Sequence, residues 1–246
     1  MAALILDERL LGAIPSPFDP LDFPMLPLLD TAAPLPSRFV SPLMPPVGNQ
    51  GNTGRCVLFA GNGMKAWQER RQHGRFLHFD EWWAYLRAQQ IDGFPMPHNG
   101  TTCRALLKVF QKLGNPIAGH PDTAAEFKIG PYLSVPYTVD AQKRAIMQFG
   151  PILVAHAWHG NQFRPVRGIL PAPTGSRIGG HARYRFGWDD SVQGIRAKRV
   201  GCWLDRNSWG KGWPGSVNGN SYDAYEFDAP GSMEQHDAWK ALDLAA

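Results

Sequence analysis

Apolar and polar positions change their rhythm halfway along the chain. From Cys56, apolar residues recur at the helical period: Cys56, Phe59, Ala60, Met64 and Trp67 fall on one face together with Gly63. This spacing predicts a helix that runs to Gly74, a residue suited to stop it. Gly61 and Gly63 each weaken such a helix by about 1 kcal/mol against Ala, so their presence predicts close packing against another element. Asp80 to Gln90 predicts a second helix with an acidic first turn. Thr102 to Leu113 predicts a third, capped by Thr101 or Thr102, with Ala105, Leu106, Val109, Phe110 and Leu113 as its apolar stripe. Asp140 to Phe149 predicts a short fourth, closed by Gly150-Pro151.

The second half reads as strands. Pro151 to Trp158, Ala182 to Phe186 and Val200 to Asp205 are rich in strand-forming residues, and Tyr222 to Phe227 adds a further candidate. Tyr184 and Phe186 alternate with Arg183 and Arg185, the pattern of a half-buried antiparallel strand. Helices first and strands second predict an α+β fold with segregated elements. Residues 1–34 differ from both halves. Their prolines exclude a helix, so an extended arm is expected. Ile14, Phe18, Phe23, Met25 and Leu26 suggest that it docks on the body, either as packing or as a segment covering a cleft.

The chain has 246 residues, enough for one large domain or two lobes around a shared core. Its net charge of +4 comes from scattered basic residues without a basic stripe, so nucleic acid is not an expected partner. No apolar run of about eighteen residues occurs, and no membrane span is expected. Met1 to Leu6 is too short for a secretory signal. Three Cys are too few for a disulfide framework and are not spaced as metal ligands. His156 and His159 stand three apart on a predicted strand and face opposite ways, so no metal or other cofactor is expected.

Of the three cysteines, Cys56 alone stands where a glycine-containing loop, Asn49-Gln-Gly-Asn-Thr-Gly54, meets a helix start. A helix N-terminus and a neighbouring imidazolium both lower a thiol's pKa from about 8.5, so this is the place for an activated nucleophile. Cys103 and Cys202 sit inside apolar patterns and read as core.

The run Pro45 to Ala60, with Gln50 six residues before Cys56, resembles the nucleophile segment of papain-like cysteine peptidases. Gly179-Gly-His-Ala182 onward resembles that family's His strand, and Arg206-Asn-Ser-Trp-Gly-Lys-Gly-Trp213 resembles its Asn segment. The segments follow in the family's order, His181 and Asn207 lying at the edges of the roughly 130–150 residue interval such enzymes show after the Cys.

The resemblance implies a two-lobe fold: an arm over 1–34, then a peptidase domain over 35–246. About 35–135 would form the mainly helical lobe and about 136–246 the mainly β lobe. It implies Cys56 as nucleophile, His181 as base, Asn207 orienting the His, Gln50 donating to the oxyanion and Trp209 shielding the His–Asn bond. Asn99, Gly100 and Thr101 would pair with an extended peptide, and Ala155 and Ala182 would line a pocket beside it. The expected partner is a peptide or protein substrate.

The family's Cys-Gly-Ser-Cys-Trp is here Thr53-Gly-Arg-Cys-Val57, and the position of the first Cys's usual partner falls at His98. That bridge is therefore absent, as expected of a non-secreted protein, cytoplasmic or virion-associated. Arg55 beside the thiol stands either to stabilise a thiolate or to obstruct the cleft. A transpeptidase or peptidoglycan peptide hydrolase is an alternative on the same residues. A non-enzymatic component of an assembly, such as a virion, is another.

Overall fold

The computed structural model describes residues 11–93, 100–228 and 236–243. In chain order the elements are β1 (Ala13–Ile14), β2 (Arg38–Val40), α1 (Cys56–His73), α2 (Trp83–Asp92), β3 (Thr101–Thr102), α3 (Cys103–Lys112), β4 (Ile129–Ser134), α4 (Val139–Phe149), β5 (Ile152–His159), β6 (Arg177–Gln193), β7 (Val200–Arg206), β8 (Asn220–Ala224) and β9 (His236–Asp243). Most strands form one antiparallel sheet in the order β4-β9-β5-β6-β7-β8, with β2 added against β6. This is the segregated α+β arrangement that the change of rhythm predicts.

Helix α1 is the hinge of the packing. It is buried over Cys56–Gly61 and Met64–Glu69, which leaves little of its circumference to solvent. A helix buried nearly all round must be enclosed by other elements. Its glycines show how. A Cβ on Gly61 would lie 2.6 Å from Leu106 of α3, and one on Gly63 would lie 2.5 Å from the Tyr184 ring of β6. The two glycines thus let α1 approach the helical layer on one side and the sheet on the other. Gly74 ends the helix in the left-handed conformation at φ 72°, its N–H donating to the Arg70 carbonyl.

Two of the other helices start on threonine caps. Thr102 Oγ1 accepts from Ala105 N at 3.0 Å and Thr138 Oγ1 accepts from Ala141 N at 3.2 Å. Helix α2 begins later than its acidic residues predict. Asp80 Oδ1 accepts the N–H groups of Trp82 and Trp83, both at 2.7 Å, and so caps the helix from outside it.

The sheet departs from the alternating pattern in one respect. Arg183 and Arg185 are fully buried rather than facing water. The structure gives them partners: Arg185 holds Asp205 through two bonds of 2.8 and 2.9 Å and Gln142 at 2.6 Å. Arg183 pairs with Asp223, lies 3.3 Å from Asp205, contacts His156 and donates to Ser221 Oγ at 3.2 Å. The guanidiniums also lie over Trp158 and Trp203. Burial would push the Asp205 carboxyl up, but Arg185 and Arg183 hold it below the ordinary range.

Replacing Asp205 with Asn leaves two buried guanidiniums to share Asp223. The expected cost is about 3–5 kcal/mol, because removing one partner strands an uncompensated charge. A urea melt of the variant measures it, and a loss under about 1 kcal/mol would show that the cluster does not depend on Asp205.

Candidate active site

Three elements converge at the start of α1. The loop before it carries Gln50, β6 carries His181, and the turn after β7 carries Asn207. Cys56 is the first residue of α1 and is fully buried. Its thiol meets the backbone of Ala182, the residue after His181. The pairing of β5 with β6 sets His156 opposite His181 and Ala155 opposite Ala182.

His181 is also fully buried, and its ring is fixed from three directions. Trp209 stacks on it at 4.4 Å between centroids and 29° between planes, and Trp158 meets it edge-on at 4.8 Å. In the ring plane, His181 Nε2 donates to Asn207 Oδ1 at 2.7 Å. Asn207 Oδ1 accepts a second bond from the Ser208 N–H at 2.7 Å, which holds the amide oriented towards the imidazole. A donor at Nε2 leaves Nδ1 as the nitrogen that takes and gives a proton. Trp213 packs edge-on against Trp209 and keeps this corner dry.

Gln50 is held at both ends of its side chain. Ser208 Oγ donates to Oε1 at 2.5 Å, and Nε2 donates to the Thr53 carbonyl at 2.5 Å. Its backbone N–H donates to the Ser208 carbonyl at 2.7 Å. The Gln50 amide is thus tied to the residue next to Asn207. The sequence offers no role for Ser208 or for Thr53 beyond their places in these runs. The Asn-Ser-Trp run and the Thr53 that replaces a family Cys are the signals.

The strip of Gly100 and Thr101 meets Gly12, whose N–H reaches the thiol; Asn99 lies outside the described residues. Helix α2 braces this strip from one face. Tyr85 Oη accepts from Gly100 N at 3.0 Å, Gln89 Nε2 donates to the Gly100 carbonyl at 3.0 Å, and Thr101 Oγ1 donates to Asp92 at 2.6 Å. Tyr85, Gln89 and Asp92 stand at i, i+4 and i+7, a polar stripe that the sequence offers but that attracts no notice without the strip it serves.

A peptide already lies in this groove: the protein's own N-terminal arm. β1 pairs with β3 in parallel, Ala13 opposite Thr101 and Ile14 opposite Thr102. Thr101 N donates to the Gly12 carbonyl at 2.9 Å. Gly12 is wedged between backbones. A Cβ there would lie 1.8 Å from the Gly54 carbonyl oxygen, and a Cβ on Gly100 would lie 2.2 Å from the Gly12 oxygen. Leu11 packs into the apolar group of Trp158, Leu170, Trp209 and Trp213. Ala13 joins the cluster that holds Cys56, Ala155 and Ala182. Further along, Ser16 N donates to Asp237 at 3.1 Å and Asp22 pairs with Arg104 at 2.5 Å. Residues 11–14 thus pack against the Gly100–Thr101 strip and against the apolar groups that hold Cys56 and Trp209.

The thiol's surroundings set its electrostatics, and the arm supplies one of the N–H groups that meet it. Burial pushes the Cys56 pKa up, while the N–H groups of Ala182, Gly12, Val57 and Cys56 pull it down without reversing the shift.

The Arg55 guanidinium is committed to the start of α2. Arg55 is buried, its guanidinium lies 3.9 Å over the Trp82 ring, and it donates to the Glu81 carbonyl at 2.8 Å. The indole and carbonyl at the start of α2 offer a better seat for a planar cation than the cleft does. Among the described residues no His, Cys, Asp or Glu group is arranged to hold a metal ion, and no helix is long and apolar enough to cross a membrane.

The architecture is shared with known proteases. The chain superposes on xylellain, a cysteine protease from Xylella fastidiosa, with a TM-score of 0.80 at 22% identity, covering 97% of each chain. It superposes on digestive procathepsin L 3 of Tenebrio molitor larval midgut with a TM-score of 0.72 at 17% identity, covering 96% of this chain and 76% of that one. The cysteine protease and lectin-like domains of Cwp84, a surface layer associated protein of Clostridium difficile, match with a TM-score of 0.70 at 17% identity, over 97% of this chain and 57% of that one. The fold is therefore that of the papain-like proteases. Residues 114–220, which include His181 and Asn207, match the family model described as papain family cysteine protease. The fold and this matched segment are thus what the chain shares with papain-family cysteine proteases. No curated protein sequence matches it.

Proposed function

We propose that the protein is a peptidase that cleaves peptide bonds through an acyl-thioester on Cys56, and that its N-terminal arm holds it inactive until displaced. The observation that carries the reading is the fixing of His181 between Trp158 and Trp209, with Nε2 committed to Asn207, one residue from the Ala182 backbone that the Cys56 thiol meets.

Once the arm leaves, water and substrate reach the thiol. The cost of burying a thiolate falls, and the helix N-terminus and His181 favour transfer of the thiol proton to Nδ1. The thiolate then attacks the carbonyl carbon. Negative charge develops on the carbonyl oxygen, where the Cys56 N–H and a Gln50 Nε2 proton donate. The imidazolium gives its proton to the amine as the C–N bond breaks, leaving the acyl-thioester. Water attacks that ester while Nδ1 takes its proton. The tetrahedral adduct collapses, the C–S bond breaks and a carboxylic acid leaves. Asn207 keeps the ring in one tautomer throughout.

The test is a peptide library incubated with the full-length chain, with an arm-displaced variant such as Gly12→Val and with the same variant carrying Cys56→Ala. Cleavage that appears on arm displacement and vanishes with Cys56 supports the proposal. Identical, uncut libraries in all three samples favour the non-enzymatic component of an assembly. Cleavage of cell-wall muropeptides alone favours the peptidoglycan hydrolase.

A further inference from the structure

Where papain-like peptidases have a Cys and a Ser before the nucleophile, this chain has Thr53 and Arg55. The structure ties these two residues to Gln50. Arg55 Nε donates to Thr53 Oγ1 at 2.9 Å. Thr53 Oγ1 donates in turn to the Gln50 carbonyl at 2.6 Å, and the Thr53 carbonyl accepts from Gln50 Nε2 at 2.5 Å. Thr53 therefore grips Gln50 at its backbone and at its amide. Arg55 anchors Thr53 to a rigid support: the Glu81 carbonyl at 2.8 Å, the Glu81 carboxylate at 3.7 Å and the Trp82 ring beneath it. Arg55 also lies 5.4 Å over Phe59 of α1, so one guanidinium spans the nucleophile loop, α1 and the start of α2.

We infer that Arg55 is a positioning residue for the oxyanion site, acting on Gln50 through Thr53. A planar cation with donors in a fixed fork can bind Thr53 and Glu81 at once; a Lys ammonium has neither the fork nor the stacking face. The inference rests on the peptidase reading, because Gln50 needs a fixed amide only if it donates to a developing oxyanion. It also separates two functions of the site. Thiol alkylation by iodoacetamide needs the Cys56–His181 pair but builds no oxyanion, whereas amide hydrolysis needs both. A loose Gln50 should harm hydrolysis and spare alkylation.

The experiment uses the full-length chain with Gly12→Val as parent, and adds Arg55→Met, Thr53→Val, both together, and Gln50→Ala with and without Arg55→Met. Hydrolysis of a fluorogenic peptide gives kcat and KM, and iodoacetamide gives the Cys56 alkylation rate. Arg55→Met keeps the apolar stem over Trp82 and is expected to lower kcat about tenfold, since small misplacements of a catalytic group cost one to two orders of magnitude. KM and the alkylation rate should stay within about twofold of the parent. Thr53→Val should match it, the pair should be no worse than either alone, and Arg55→Met should cost nothing further once Gln50 is Ala.

Alkylation falling in step with kcat, multiplying losses in the pair, or an undiminished loss on Gln50→Ala would each overturn the inference. An Arg55→Met variant that does not melt cooperatively leaves Thr53→Val to decide it. A parent that cleaves no peptide removes the peptidase reading, and this inference with it; an active parent with an unaffected Arg55→Met removes only the inference.

Discussion

Gly12→Val in the full-length chain is expected to raise kcat/KM for a peptide substrate about tenfold or more, the factor that follows from weakening the docked arm by about 1.4 kcal/mol. The prediction follows from geometry. Any side chain at position 12 begins 1.8 Å from the Gly54 carbonyl oxygen, a backbone atom that cannot swing aside. Either the arm lifts or the nucleophile loop distorts. The arm is the softer part: its β1 is a two-residue strand, whereas the nucleophile loop is tied to the Ser208 turn and to the start of α2. Tethered as it is, the arm competes with substrate at an effective concentration near millimolar, so its loss shows most at low substrate. Phe18→Ser is the control, because that side chain is 92% exposed and touches no part of the groove. Unchanged turnover in Gly12→Val, with a normal melt, would mean that the arm does not gate the cleft.

In the arm-displaced variant, His181→Ala is expected to lower kcat by about four orders of magnitude, the scale on which triad members fail when removed singly. The imidazole has two tasks here: it stabilises the thiolate and it protonates the leaving amine. Among the described residues, the histidines nearest to it in the sheet are engaged elsewhere. His156, opposite it on β5, is engaged with Arg183 in the sheet core, and His159 bonds the Gly175 carbonyl at the surface. Asn207→Ala should cost less, since the two tryptophans still hold the ring and only the bond that fixes its tautomer is lost. Single-turnover kinetics with an ester and an amide of the same sequence measure both variants. A loss under tenfold for His181→Ala would show that the base lies elsewhere.

Much of the helical half is legible in the sequence because each helix carries its own stop and its own face. Cys56 to Gly74 shows the period, the close-packing glycines and the C-terminal Gly together. The site residues are legible as three short runs in a fixed order. What the sequence hides is tertiary. The prolines of the arm exclude a helix but do not say where an extended chain goes; that depends on Gly12 meeting Gly54 and Gly100, residues distant in sequence. Arg183 and Arg185 read as solvent-facing because alternation alone cannot tell a wet face from one whose charges find Asp205 and Asp223. Strands β4 and β9 pass unnoticed for local reasons. Ile129-Gly-Pro-Tyr is broken by turn residues, and Ala238-Trp-Lys-Ala241 has as much helix former as strand former.

The most direct test is the rate of Cys56 alkylation by iodoacetamide between pH 5 and 9, in Gly12→Val with His181 intact and with His181→Ala. A paired thiol and imidazole predict reaction that persists well below pH 8.5 and retreats to the ordinary thiol range when the imidazole is removed. Identical profiles in the two proteins, both rising only near pH 8.5, would contradict the account.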